Sequence, residues 1–421
     1  MRCRLVGSEM CIRDSFCPMQ NENKSQLEFI VLMAALMSIV ALSIDAVLPA
    51  LPTIGAHIGS LGDTENQKLI TTIFLGLGIG QLAFGPLSDS FGRKPMVYVG
   101  FFVFIIASYI CITTKSFEMM LLGRTLQGVG LSSPRTMSIA IVRDSYSGDH
   151  MAKILSIVVM TFILVPVIAP MLGQFLMLHF GWKSIFTFNL AFGLLIMFWF
   201  WKRQKETLKP KYKKTFRPAI FKNGTIEFFR IKPAVIYTLF SGLITGSFMV
   251  YLSTAQQIFQ VQYDLGEYFP YIFASLAVTI GLATYLNSAL VMRFGMRNLV
   301  NVALLSFIGI SLTYVILFGF SGNPSIEVLI GFFMLQFASV AFLFGNLRAL
   351  AMEPMGHIAG IGSALNGFIS TVMAVPIANY IGGFVKESVT PLFIGFLVCG
   401  VVSLILFYSI SAKAKTILKN I

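Results

Sequence analysis

The sequence predicts an all-α integral membrane protein, with twelve transmembrane helices arranged as two six-helix bundles. Three observations carry this. The chain is 56% hydrophobic and 12% charged, with a mean hydropathy of +0.81, so its apolar side chains far exceed what one water-surrounded core buries. Cutting it at clusters of charge, Pro and Gly leaves twelve apolar stretches near the ~20 residues that cross a bilayer as a helix. Its Lys and Arg residues then fall overwhelmingly on alternate loops.

The predicted spans are 29–51, 69–87, 95–113, 118–142, 154–178, 184–201, 233–256, 269–292, 299–319, 327–349, 358–382 and 391–411. They divide the chain into a leader expected to be disordered (1–28), a first bundle (29–201), a basic linker (202–232), a second bundle (233–411) and a tail (412–421). Residues 1–18 lack apolar periodicity and read as an added segment, with Met19 as the candidate start. Basic residues precede the apolar run at Phe29, as in a signal peptide. That run is too long for a signal core, however, and reads as a permanent helix. Six spans, a linker and six more point to an internal duplication.

Numbering the loops from the N-terminus, one side collects Arg93, Lys94, Arg143, Lys153, Arg293, Arg297, Arg348, Lys413, Lys415, Lys419 and the linker run from Lys202 to Lys232. The other has only Lys68, Lys115, Lys183 and Lys386. The formal charge of +13 is therefore expected to face anionic inner-leaflet lipid and not nucleic acid, with both termini and the linker cytoplasmic. Cys3, Cys11, Cys17, Cys111 and Cys399 show no metal-ligand or redox spacing, so neither a disulfide nor a cofactor is expected.

Ionisable residues inside a span are costly and therefore informative. The first span carries Asp45 in Ser43-Ile44-Asp45-Ala46-Val47-Leu48-Pro49. Between the second and third spans, Gly85-Pro86-Leu87-Ser88-Asp89-Ser90-Phe91-Gly92-Arg93-Lys94 makes a hairpin too short to separate its helices. Gly85 and Gly92 allow close backbone approach there, and Asp89, Arg93 and Lys94 sit at the water boundary.

The fourth span holds Arg124, Gln127 and Arg135. Asp45 lies about 24 Å along an outward-running helix and Arg124 about 9 Å below the outer boundary of an inward-running one. In a ~30 Å core both occupy the outer half, and a buried ion pair between them is expected. Arg135, eleven residues on, returns to within about 20° of the same face. The fifth span contains Pro166, Pro170 and Gly173, a bend suited to a gating helix. In the second half, Met292-Arg293-Phe294-Gly295-Met296-Arg297 echoes the hairpin without its aspartate. The uncharged polar residues of its spans include Gln256, Gln336 and Asn366, which join Gln127 and Arg135 as candidates to line a polar cavity.

The spacing G-x-L-x-D-x-x-G-R-K at 85–94 resembles the loop between helices 2 and 3 of the major facilitator superfamily. The motif Arg124-Thr125-Leu126-Gln127-Gly128-Val129-Gly130, the Pro-rich fifth span and Asp45 to Pro52 resemble its proton-driven drug efflux branch. Arg143-Asp144, Gly181-Trp182-Lys183-Ser184-Ile185-Phe186 and Met352 to Gly360 resemble the bicyclomycin-resistance (Bcr/CflA) group. The chain departs from the pattern at Ser90, where a basic residue is usual. It also lacks paired glycines in the fifth span and a second acid in the first.

The resemblance implies two bundles rocking about a central site and a monomer exporting small molecules against protons. Asp45 and Arg124 would couple the proton, and the 85–94 motif would serve as a conformational switch. The scarcity of intramembrane charge makes neutral or zwitterionic substrates the expectation. A proton-coupled importer of a sugar, organic acid or osmolyte is the alternative on the same fold. A membrane-embedded lipid-modifying enzyme, from another class, would need a nucleophile, metal or carboxylate constellation within the spans, and the sequence has none.

Overall fold

A computed structural model describes residues 19–146, 148–208 and 218–419. The first half comprises α1 (Met19–Asp45), the short α2 (Leu51–Ile58) and α3 (Asp63–Asn66), then α4 (Lys68–Phe91), α5 (Arg93–Thr113), α6 (Phe117–Ser145), α7 (Gly148–Phe180) and α8 (Lys183–Arg203). The linker folds into α9 (Pro218–Arg230), and the second half follows with α10 (Lys232–Gln256), α11 (Phe269–Phe294), α12 (Met296–Phe318), α13 (Ile326–Met352), α14 (Ala359–Gly382) and α15 (Thr390–Lys419). Among the described residues, ten helical spans are long and apolar enough to cross a bilayer. The two other long helices are α6, which carries three arginines, and α7, which contributes the shorter apolar stretch Leu164–Phe180.

One expectation is corrected, and the ends of two spans are sharpened. Residues 19–28 are helix and not disordered leader: Met-Gln-Asn-Glu-Asn-Lys-Ser-Gln lacks β-branched residues and glycine, so it extends α1. Glu28 anchors that extension, accepting from Arg203 at 2.8 Å and from the Trp199 indole at 3.2 Å. The tail from 412 is likewise helical as far as Lys419. The first span is not one continuous helix. It breaks after Asp45, because Pro49 has no N–H to give to the Asp45 carbonyl, and continues as a 3₁₀ turn at Leu48–Ala50 and then α2. The expectations for residues 1–18 and for the linker segment 209–217 lie outside the described residues.

Small residues let the first bundle close. Gly128 of α6 faces the Ile73 carbonyl of α4, while Gly130, two positions on, meets the Phe104 and Gly100 backbone of α5. The Gly-x-Gly of α6 is thus a double contact surface that holds three helices at backbone distance.

Each half is a bundle of its own. Helices α4, α5, α7 and α8 pack around α1 and α6; in the second half, α11, α12, α14 and α15 pack around α10 and α13. The halves meet along two main seams, α4 against α14 and α7 against α11. Counted among the twelve long helices, these are the second against the eleventh and the fifth against the eighth. Advancing every helix by six exchanges one seam for the other, as a duplicated architecture requires.

The joint between α4 and α5 recurs between α11 and α12. Gly92 and Gly295 each follow a phenylalanine and adopt φ of +110° and +76°, a region open to glycine and strained for other residues. The weak echo in the sequence is therefore a repeated backbone turn.

Candidate functional site

A cavity of about 1200 Å³ lies between the halves. Its deep end is lined by Asp45, Phe74 and Tyr251, and its opposite end reaches Asp89, Arg93, Arg143 and Asp144 on the basic face. The other face is sealed by bonds between the halves. Gln67 Nε2 donates to Gln257 Oε1 at 2.6 Å and to the Gly382 carbonyl at 3.5 Å, and Thr71 Oγ1 donates to Asn379 Oδ1 at 2.8 Å.

The break in α1 places Asp45 at the cavity wall, only 4% exposed. No ion pair or side-chain hydrogen bond holds its carboxyl among the described residues. The expected Asp45–Arg124 pair is not formed. Arg124 is buried inside the first bundle, where its guanidinium donates to the Ser43 carbonyl (2.9 Å), the Leu69 carbonyl (3.0 Å) and Gln127 Oε1 (3.1 Å). The depth match was sound, since Arg124 reaches a carbonyl two residues from Asp45. Depth fixes a level and not a direction, however: Asp45 lines the cavity, whereas Arg124 approaches α1 from inside the first bundle. Arg124 instead ties the Ser43 carbonyl, just before the helix break, to the Leu69 carbonyl of α4, so it positions Asp45 indirectly.

Of the five candidates for cavity lining, Arg135 lines it and four do not. Gln127 is buried between Arg124 and Ser108 Oγ (2.9 Å); Gln336 donates to Ser311 Oγ (2.9 Å) and the Phe307 carbonyl; and Asn366 donates to Thr238 Oγ1 (2.8 Å). Gln256 is buried, and its amide nitrogen has no partner among the described residues. The first three are helix-packing hydrogen bonds, the usual role of an amide in a membrane helix. On α7, Pro166 lines the cavity, and Gly173 lies against the Ala46 carbonyl, where no side chain fits. The bend helix therefore packs directly on the break that carries Asp45.

The 85–94 motif is a polar knot at the cavity mouth. Arg93 donates to Ser88 Oγ (2.6 Å), Asp89 Oδ1 (2.6 Å) and Asp144 Oδ2 (2.9 Å), joining α4, α5 and α6. Gly85 lines the cavity, facing Ala364 of α14, and Lys94 Nζ donates to the Trp201 carbonyl at 3.2 Å. Gly92 is held more closely than Gly85: a Cβ there would lie 2.6 Å from Glu206 Oε2. Just beyond α6, burial pushes the Tyr146 phenol at the mouth up from its ordinary value.

Sequence reasoning missed the opposite wall. Phe248, Tyr251, Phe273, Phe337 and Phe344, all from the second half, line the cavity as one packed sheet of rings. Tyr251 and Phe337 are 4.5 Å apart, and Phe248 is 5.6 Å from both Phe337 and Phe344. Tyr251 is 2% exposed, its hydroxyl has no partner among the described residues, and it lines the same cavity as Asp45. A long apolar wall with few polar groups suits a small amphipathic ligand.

Two six-helix halves, exchangeable seams and a central cavity open toward one face define a multi-pass membrane transporter, not an enzyme. The model of the Major Facilitator Superfamily matches residues 33–378, and the chain belongs to that family. It is 24% identical over 398 residues to a bicyclomycin resistance protein homolog of Haemophilus influenzae, covering 93% of this chain and 98% of that protein. It is 27% identical over 388 residues to the multidrug resistance protein MdtL of Salmonella paratyphi A, covering 91% and 95%. Among solved structures it resembles the xylose transporter XylE from E. coli in an inward open conformation, with a TM-score of 0.71, 14% identity and coverage of 90% and 96%.

Proposed function

We propose that this chain is a proton-coupled antiporter of the bacterial inner membrane. It exports small neutral or zwitterionic compounds, drugs or amino-acid-like metabolites, by alternating access, as a monomer with both termini cytoplasmic. The observation that carries the reading is Asp45, a buried carboxyl at the cavity wall with no ion pair among the described residues. A carboxyl engaged by Arg124 would be committed to structure. Asp45 is instead free to exchange a proton with whichever side the cavity faces, and it looks across at an unpartnered Tyr251 hydroxyl on the apolar wall.

In this reading the cavity opens to the cytoplasm, where Asp45 gives up its proton and a substrate settles on the ring wall. Rocking about the two seams then opens the Gln67–Gln257 side, and Asp45 is reprotonated as the substrate leaves. The relatives' printed names, bicyclomycin and multidrug resistance, support export of small compounds.

Asp45→Asn keeps the side-chain shape and removes the titrating group. In inverted membrane vesicles with an imposed pH gradient, the variant is expected to insert normally and to lose gradient-driven chloramphenicol accumulation. Accumulation at the wild-type rate would overturn the coupling role.

A further inference from the structure

Phe344 is the last ring of the apolar wall along α13, and the next residue, Gly345, also lines the cavity. A Cβ on Gly345 would lie 3.8 Å from Asn287 Nδ2 of α11. A longer side chain there would cover that amide, and glycine leaves it uncovered. Asn287 lines the cavity and is otherwise buried, only 9% exposed.

Two bonds fix which way the amide points. Asn346 donates to the Phe342 carbonyl one turn back on α13, at 2.9 Å. A carbonyl oxygen only accepts, so the Asn346 atom that meets it is the nitrogen. The same nitrogen lies 2.8 Å from Asn287 Oδ1, so Asn287 turns its oxygen toward Asn346 and its NH₂ group away from it. That NH₂ donates to nothing among the described residues and, unlike the sealed Gln256 nitrogen, remains open to the cavity. Two hydroxyls lining the same half are already spent on backbone carbonyls: Thr284 donates to Ile280 at 2.8 Å and Ser370 to Thr238 at 3.3 Å.

We propose that Asn287 is a specificity-determining residue for the transported molecule, donating a hydrogen bond to a carbonyl oxygen carried beside an aromatic or other apolar body. Asn346 is its positioning residue, and Gly345 is the opening through which amide and carbonyl meet. The proposal rests on the exporter reading and narrows its substrate class to amides, ketones and esters. A wall of rings alone accepts any apolar body of suitable size. A half-buried donor changes that, because a molecule without an acceptor strips water from the amide and returns no bond. With the body lying against Phe344 and Phe248, whose rings are 5.6 Å apart, the carbonyl reaches past the end of the wall.

The test is equilibrium binding to the purified full chain in detergent, by isothermal titration calorimetry, using 3-acetylindole and 3-ethylindole, which share a ring and differ by one carbonyl oxygen. Wild type is expected to prefer the ketone by about fivefold. Asn287→Leu should erase that preference while changing 3-ethylindole binding less than about threefold. Asn287→Asp keeps the oxygen that accepts from Asn346 and replaces the NH₂ with a second oxygen, so it should turn the preference against the ketone. Monodisperse elution of both variants guards against a folding defect.

Asn346→Leu frees the Asn287 amide to rotate, and the ketone preference should fall to about twofold or less with 3-ethylindole binding unchanged. A merely structural role for Asn346 would weaken both probes alike. A wild type that binds neither probe or does not tell them apart, a preference kept in Asn287→Leu, or an equal loss for both probes would overturn the assignment. The measurement needs no gradient, so Asp45→Asn should keep the ketone preference. Failure of the coupling reading and failure of the Asn287 contact are therefore separate results.

Discussion

Glu206 stands in a linker whose sequence reads as basic, yet its carboxylate performs the work of a helix cap supplied from outside the helix. Its oxygens accept from the Arg93 and Lys94 backbone N–H groups at 3.0 Å each, and from those of Thr207 and Leu208 at 2.9 Å. The first turn of α5 leaves such donors unsatisfied, and negative charge is favourable beside them. Glu206→Ala should therefore cost about 0.5–2 kcal/mol, the range for losing an N-terminal cap. Limited trypsin digestion is the check: faster cleavage around Lys202 and Lys205 is expected in the variant, and an unchanged pattern would mean that the contact holds nothing. Asp45 was legible because an acid in a span is rare enough to stand out. Glu206 was not, since one carboxylate among many lysines carries no signal until the chain folds back on α5. Tyr251 escaped notice for the opposite reason, as an aromatic on an apolar helix looks the same whether it meets lipid, core or cavity.

At the scale of elements, the twelve stretches were legible because bilayer thickness sets their length and hydropathy marks them directly. Their ends were less so. The helical extension at 19–28 and the continuation to Lys419 are polar and carry no hydropathy signal, while the break after Asp45 follows from Pro49. Which polar residues face the cavity was hidden for a related reason. Without knowing how each helix is rotated, Gln127, Gln336 and Asn366 look identical to lining residues, although each bonds to a neighbour within its own bundle. The seal between α4 and the second half gives a direct test. Gln67→Ala removes the 2.6 Å bond to Gln257, worth about 0.5–1.5 kcal/mol, and should shift the balance toward the state open on that face by about two- to twelvefold. Maleimide labelling of Ser253→Cys, in a background with the native cysteines replaced, should rise accordingly; constant labelling would show that the seam is held elsewhere.

For the whole molecule, the duplication was legible from the span count and one echo, and the seams show its two-fold logic. The charge asymmetry leads to a prediction about orientation. A green fluorescent protein fused after Ile421 should fluoresce, and alkaline phosphatase fused there should be inactive, because the first folds in the cytoplasm and the second needs the oxidising side. The reverse result would invert the mechanism proposed above.

The two walls of the cavity also differ in who supplies them. The first half gives its carboxylates and the Arg93 knot, and the second half gives the sheet of rings. Packed rings make few directional demands, so exchanging Phe248, Phe337 or Phe344 for other apolar side chains alters the contour of the cavity without touching a proton or a latch. On the proposed exporter reading, the repertoire of exported compounds can drift under antibiotic selection by single substitutions in one gene half while the proposed proton site in the other stays intact.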